Sequence, residues 1–167
     1  YEFSEVTTDS HRYARPERVF DKSGNEITLS YSGAVGVGRL TKVSAPSGDN
    51  RSLNFTYDGN LITKVALSKG TSELTYTDYH YKTTTVNSLT VPWLTRVSPR
   101  GAAESDSIRY AYDWPTSATT DLMFSLTRIT DRAGNYTEFQ TDYGLNSRTG
   151  NMMATKTTVT APDNITW

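Results

Sequence analysis

The chain predicts an all-β protein built from antiparallel hairpins, and three observations carry that reading. A four-residue phrase recurs as Leu40-Thr41-Lys42-Val43, Ile62-Thr63-Lys64-Val65, Leu94-Thr95-Arg96-Val97 and Leu126-Thr127-Arg128-Ile129. Glycine follows each phrase within a few residues, at Gly48, Gly70, Gly101 and Gly134, and beyond each glycine lies an aromatic or apolar alternating stretch. Period-two runs such as Ile27-Leu29-Tyr31, Leu53-Phe55-Tyr57 and Ile108-Tyr110-Tyr112 recur along the length, while no window sustains the three-to-four spacing of a helix. Self-similarity at a spacing of tens of residues is the mark of a stacked repeat architecture, and the unit here is strand, glycine turn, strand.

The repeats begin at residues 40, 62, 94 and 126, so the intervals are 22, 32 and 32 residues. The added length falls at 79–92, which is polar and threonine-rich, and at 114–123, which contains Pro115 and Thr116-Ser117. Both read as inserted arms decorating a common sheet. A partial unit precedes the first: Val19 to Leu29 runs parallel to Ile129 to Phe139, with Asp21, Gly24 and Asn25 in one matching Asp131, Gly134 and Asn135 in the other. Each Asp is placed to accept backbone amides within a turn, and Gly-Asn supplies the positive-φ positions of a tight connection. The sequence therefore divides into an entry segment 1–18, degenerate β-repeats over 19–143, and a further strand segment 144–167 that continues into a neighbour. Roughly a dozen short strands are expected.

One spacing resists simple alternation. Leu126 and Ile129 are three apart and cannot share a face of a regular strand. Either the leucine lies in a turn before the strand, or both sheet faces carry apolar side chains.

Composition sets the function classes aside in turn. A length of 167 residues suffices for one domain with a core or for a slice of a larger repeat body. Hydrophobic content is 35%, and 11 tyrosines shift the balance toward strand formers. A net charge of -1 with both signs interspersed offers no basic stripe for nucleic acid. With no cysteine there is neither a disulfide framework nor a thiolate metal site, and no apolar run is long enough to span a membrane as a helix. His11 and His80 lack partners at zinc-binding spacing. Glu104 and Asp106 stand in a polar loop, where a solvated turn accounts for them better than a glycosidase pair. The run from Gly33 to Gly38 lacks the order of a phosphate cradle and reads as a hairpin tip. No catalytic, metal-ligating or cofactor-binding residue is expected. Trp93 and Trp114 with Tyr79 and Tyr81 are the candidate sugar-stacking aromatics, because inserted arms are where a β scaffold acquires such a site; core anchoring is the competing account.

The segment Gly38-Arg39-Leu40-Thr41-Lys42-Val43-Ser44-Ala45-Pro46-Ser47-Gly48, followed by Phe55-Thr56-Tyr57-Asp58, resembles the repeat unit of the RHS/YD-repeat family. Tyr112-Asp113 repeats the Tyr-Asp signature, and the Asp-x-x-Gly-Asn hairpins are of the same kind. The resemblance runs from about Val19 to Tyr143. It departs where Ile62 and Leu126 lack the preceding Gly-Arg, and where Tyr76-Thr77-Asp78 and Thr141-Asp142-Tyr143 shift the signature. The resemblance implies a long β-ribbon spiralling into a hollow shell, in a secreted or cell-surface protein, as in bacterial RHS proteins and teneurin-like proteins. Such a shell encloses a toxin domain or serves as an adhesive body that meets a cell-surface receptor. The family's self-cleavage sequence, of Asp-Pro-x-Gly type, has no counterpart, since Pro162-Asp163 carries its two residues in reversed order. The leading expectation is a non-enzymatic structural segment whose partners are further repeats of the same polypeptide or identical neighbouring chains. A carbohydrate-binding β module is the alternative, and an enzyme of unknown type stands third.

Overall fold

The computed structural model describes residues 1–8, 11–33, 38–46, 48–86, 89–113, 125–145 and 152–161. The chain forms two compact units, Tyr1–Asp78 and Tyr79–Trp167. The first holds β1 (Glu2–Thr8), β2 (His11–Phe20), β3 (Glu26–Ser32), β4 (Arg39–Ser44), β5 (Arg51–Asp58) and β6 (Leu61–Lys69). β7 (Ser72–Val86) carries the chain from the first unit into the second, which continues with β8 (Leu89–Pro99), β9 (Ile108–Asp113), β10 (Ser125–Thr130), β11 (Tyr136–Leu145) and β12 (Met152–Thr160). In each unit the strands follow one another in sequence order as an antiparallel meander. The helical content of the described residues is one 3-10 turn, Glu104–Asp106.

The hairpin at Asp21–Asn25 and its counterpart at Asp131–Asn135 are built alike. Asp21 Oδ1 accepts the amides of Ser23 and Asn25 at 2.8 and 2.9 Å, and Asp131 Oδ1 accepts those of Ala133 and Asn135 at 2.9 and 2.8 Å. Gly24 and Gly134 take φ of 79° and 87°, the left-handed region that side chains avoid. The asparagines do not share it. They return their side-chain amides to the Asp, Asn25 Nδ2 donating to Asp21 Oδ2 and Asn135 Nδ2 to Asp131 Oδ2. Hydrogen bonding, rather than backbone permissiveness, is therefore what Asn contributes to the Gly-Asn pair.

These loops predict a pH dependence. The Asn side-chain bonds, joined by loop amides, hold both Asp carboxyls below the usual aspartate range. A carboxyl with a depressed folded pKa stabilises the fold above its unfolded value of about 3.9 and loses that contribution as pH falls through the folded value. The melting midpoint of the wild-type chain should therefore drop below about pH 4. In the double variant Asp21→Asn, Asp131→Asn the part of that drop due to these loops should vanish, and an unchanged acid limb would remove the assignment.

The recurrent threonine resolves the three-residue spacing. In the β3–β4 pair Ser30 lies opposite Lys42 and Tyr31 opposite Leu40, leaving Thr41 as the extra residue of a β-bulge. Thr63 is the extra residue between β5 and β6, and Thr127 between β9 and β10. An inserted residue resets the alternation. Leu40 and Val43 lie opposite Tyr31 and Leu29, two residues apart on one strand, so they share a face. The same holds for Ile62 with Val65 and for Leu126 with Ile129. The leucine is thus neither in a turn nor on the opposite face. Two bulge hydroxyls bond back across the ladder, Thr41 Oγ1 to the Ser30 carbonyl at 3.2 Å and Thr63 Oγ1 to that of Thr56 at 3.4 Å, and the threonine of the Leu94-Thr95-Arg96-Val97 phrase makes the same kind of bond, Thr95 Oγ1 to the His80 carbonyl at 3.1 Å.

Because the parity is reset in this way, each unit segregates its apolar side chains. In the first, Leu29, Val43, Leu53 and Leu67 form one row across four strands, and Phe55 with Val65 begins the next. The opposite face carries Ser30, Lys42, Ser52, Asn54 and Ser68, with Asn54 Nδ2 bonding both Ser52 Oγ and Ser68 Oγ. In the second unit Val97 pairs with Ile108, Tyr110 with Ile129, Tyr112 with Leu126 and Phe139 with Val159.

Candidate functional surface

The apolar faces are the candidate surface this fold presents, and tyrosines pin the strands that carry them. The Tyr31 hydroxyl donates to the Pro16 carbonyl at 2.8 Å, that of Tyr57 to the Leu40 carbonyl at 2.8 Å, and that of Tyr112 to the Leu94 carbonyl at 2.9 Å. Each bond crosses to the preceding strand. In every case the residue before the acceptor covers the ring: the Arg15 guanidinium lies 4.4 Å from the Tyr31 centroid, Arg39 5.6 Å from Tyr57, and the Trp93 ring 5.4 Å from Tyr112. Tyr31, Tyr57 and Tyr112 also sit at the bulges described above. A bulge interrupts the regular ladder, and the tyrosine hydroxyl supplies a carbonyl on the preceding strand with a donor next to the interruption. Burial, and secondarily Tyr110, pushes the Tyr112 hydroxyl above its usual range.

Gly38 belongs to the same arrangement. A Cβ there would stand 2.8 Å from Arg15 Nη1, so the glycine of the Gly-Arg pair leaves room for the guanidinium that covers Tyr31.

The faces so organised are not closed into a core. Among the described residues Ala66, 6% exposed, is the one hydrophobic residue that is buried. Ile27 and Leu53 remain 40% and 39% exposed although they stand in the middle of the apolar pattern. A shallow hollow of about 280 Å³ opens on this face between Ile27, Val43, Leu53 and Leu67, beside the Pro46 turn. In a domain with its own core the central residues of a sheet row are shut away from water, and here they are half exposed.

The remaining residues singled out by sequence fall as follows. Gly48, Gly70 and Gly101 have positive φ in turns between strands. Asp58 ends β5 and Asp113 ends β9. Trp93 is half-buried and packs on Tyr112, while Tyr79 and Tyr81 are half-buried two residues apart on β7. Burial raises the Tyr81 pKa, with Tyr79 a lesser cause. Trp114, the arm 114–123 and the tip 34–37 lie outside the described residues; of the arm 79–92, residues 79–86 belong to β7 and 89–92 to β8, and 87–88 lie outside the described residues.

His80 is flanked by the Arg96 guanidinium, whose Nη2 lies 3.2 Å from Nε2 and 3.3 Å from Nδ1. Glu104 pairs with Arg96 at 3.3 Å, and Asp106 accepts the Ser105 hydroxyl at 3.3 Å, so these two acids serve separate partners. Among the described residues no cluster of His, Asp and Glu is arranged to hold a metal, and no helix is long and apolar enough to cross a membrane. The tyrosine latch escaped sequence reasoning in part: Tyr31 lacks the following Asp, and its partner Arg15 precedes the first repeat. No protein-family model and no curated protein sequence matches the chain.

Proposed function

We propose that the chain is a non-enzymatic structural segment of an exported protein of the RHS/YD-repeat type, secreted or held at a cell surface. Its role is to contribute strands to a β-shell or extracellular assembly that contains a cargo domain or mediates adhesion. The observation that carries this reading is the half-exposed apolar face, organised row by row with none of its paired members buried among the described residues; the one buried hydrophobic residue, Ala66, lies opposite Asn54 on the other face. Repeat bodies bury such faces against adjoining repeats, and the recurrence of bulge, latch and Asp-capped hairpin fits a unit made to be stacked. The tyrosine of the Tyr-Asp signature and the Gly-Arg pair each acquire a structural task at Tyr57, Arg39 and Gly38, which supports the family resemblance at its most characteristic positions.

The test is association through the apolar face. The wild-type chain is expected to bind a hydrophobic dye and to associate with rising concentration in sedimentation velocity. The double variant Leu53→Lys, Phe55→Lys should suppress both while keeping its β circular dichroism. A wild-type chain that stays monomeric and dye-free at high concentration would defeat the proposal.

A further inference from the structure

The opposite face of the second unit carries a second feature, independent of the apolar surface. Arg96 on β8 lies directly across from Arg109 on β9. Arg109 in turn faces Thr130 on β10, Ala111 faces Arg128, and on β11 Tyr136 faces Thr130 while Glu138 faces Arg128. These residues share one face, because directly opposed side chains of an antiparallel pair point the same way.

Two of the three arginines have acidic partners. Arg96 lies 3.3 Å from Glu104 and also contacts His80. Arg128 Nε donates to Glu138 Oε1 at 3.1 Å, and its guanidinium stands 4.5 Å from the Tyr136 ring centroid. Arg109 has neither an ion pair nor a hydrogen bond from its guanidinium among the described residues, and its Nε is closed off from solvent without an acceptor. Like charges opposed on a sheet repel, and a buried donor without an acceptor is a penalty that a folded chain rarely retains. Arg96 shares both features, its Nε being likewise closed off without an acceptor, and what sets Arg109 apart is that no carboxylate among the described residues offsets them. The residue borders a depression of about 320 Å³ whose other walls include Ala111, Arg128, Thr130 and Tyr136.

We propose that this depression binds the carboxylate of a uronic-acid residue in an acidic polysaccharide. The planar guanidinium fork of Arg109 matches a carboxylate with two parallel hydrogen bonds, and Arg128 adds a second positive charge to the same wall. Thr130 and Tyr136 flank the position of the sugar ring, and Ala111 leaves the floor between the arginines low. A peptide partner is disfavoured by the location. The site lies on the face of paired strands, whose backbone groups are spent in the ladder, so strand addition is impossible and the ligand must bring its own closely spaced polar groups. Nucleic acid is disfavoured because Arg109 is the one arginine of this group without an acidic partner, Arg96 and Arg128 being paired with Glu104 and Glu138, whereas a phosphate backbone calls for a run of unpaired cations and a single uronate carboxylate does not.

Titration calorimetry of the full chain with trigalacturonate tests the site, with its methyl ester and a hexaglutamate peptide as controls. Trigalacturonate is expected to bind with Kd below about 1 mM and to weaken with added salt, the ester binding at least about tenfold more weakly. Arg109→Gln should weaken trigalacturonate by about tenfold or more without lowering the melting midpoint, and Glu138→Gln, which removes a nearby negative charge, should tighten it. Absence of binding, equal binding of the ester, or an unchanged affinity in Arg109→Gln would overturn the site. Hexaglutamate binding as tightly as trigalacturonate would overturn the saccharide class.

Discussion

Deleting Ala66 is expected to unfold the first unit, whereas deleting Thr63 from the same strand should leave it folded. The contrast follows from the register. In the β5–β6 ladder Tyr57 faces Ile62, Thr56 faces Lys64, Phe55 faces Val65 and Leu53 faces Leu67, with Thr63 unpaired between Ile62 and Lys64. Removing Thr63 joins two residues that already face consecutive partners, so every cross-strand pair survives in a regular ladder. The loss is the bulge twist and a weak 3.4 Å hydroxyl bond, about 1 kcal/mol, the centre of the range for single changes. Removing Ala66 is different in kind. Val65 and Leu67 would then be adjacent, and one must turn to the polar face, either alone or by shifting the whole of one strand half. Exposing or misplacing two or three aliphatic side chains costs about 3 kcal/mol or more, a large fraction of ordinary domain stability. Thermal melting with hydrogen exchange of the β5 amides reads the difference. Equal destabilisation by the two deletions would mean that Thr63 is not the inserted residue.

The same residues show why the sequence discloses some features and conceals others. Hairpins are legible because the chemistry of a tight turn is local: an Asp to accept amides and a glycine to take φ of 79° or 87° both appear in the text of the chain. Strand type is legible because alternation is local as well. The bulge is not. A Leu-Thr-x-Val phrase breaks the period by one residue, and the same break would arise at a strand end or on a two-sided sheet. Only the pairing partners Tyr31, Tyr57 and Tyr112 decide among these. The Tyr-Asp signature announced a repeat without its task, since the carbonyls at Pro16, Leu40 and Leu94 lie 15, 17 and 18 residues away. Arg109 is concealed in the same way. Within Ile108-Arg109-Tyr110-Ala111-Tyr112 it reads as an ordinary outward charge, and its opposition to Arg96 exists only once the register of β8 and β9 is fixed.

Apolar order without burial also explains why composition misleads about a core. A hydrophobic content of 35% distributed at period two builds two-faced sheets. Where the faces stay half exposed, stability must come from the ladder, the latches and the few sites that are shut away from water. Ser107 is the extreme example, with no exposed surface at all.

Replacing Ser107 by alanine is accordingly expected to destabilise the second unit by about 2 to 3 kcal/mol, the upper range for stranding a buried polar partner. The Ser107 hydroxyl donates to the Ala103 carbonyl at 2.9 Å, and that carbonyl has no proton to give back. Ser107 Oγ must then be the acceptor in its 2.9 Å contact with Ser98 Oγ, so Ser98 is the donor. Ser98 is itself only 6% exposed. In Ser107→Ala its hydroxyl is left in a dry site without an acceptor, while the Ala103 carbonyl keeps the Asp106 amide at 3.1 Å. Ser98→Ala is milder, about 1 kcal/mol, because Ser107 retains its bond to Ala103 and loses only an incoming donor. The double variant removes the stranded hydroxyl as well as its acceptor, so its effect should be smaller than that of Ser107→Ala alone and clearly less than the sum. Chemical denaturation of the four proteins in a double-mutant cycle measures the coupling directly. Additivity within about 0.5 kcal/mol, the scatter seen for independent sites, would show that the two hydroxyls do not act as one buried relay.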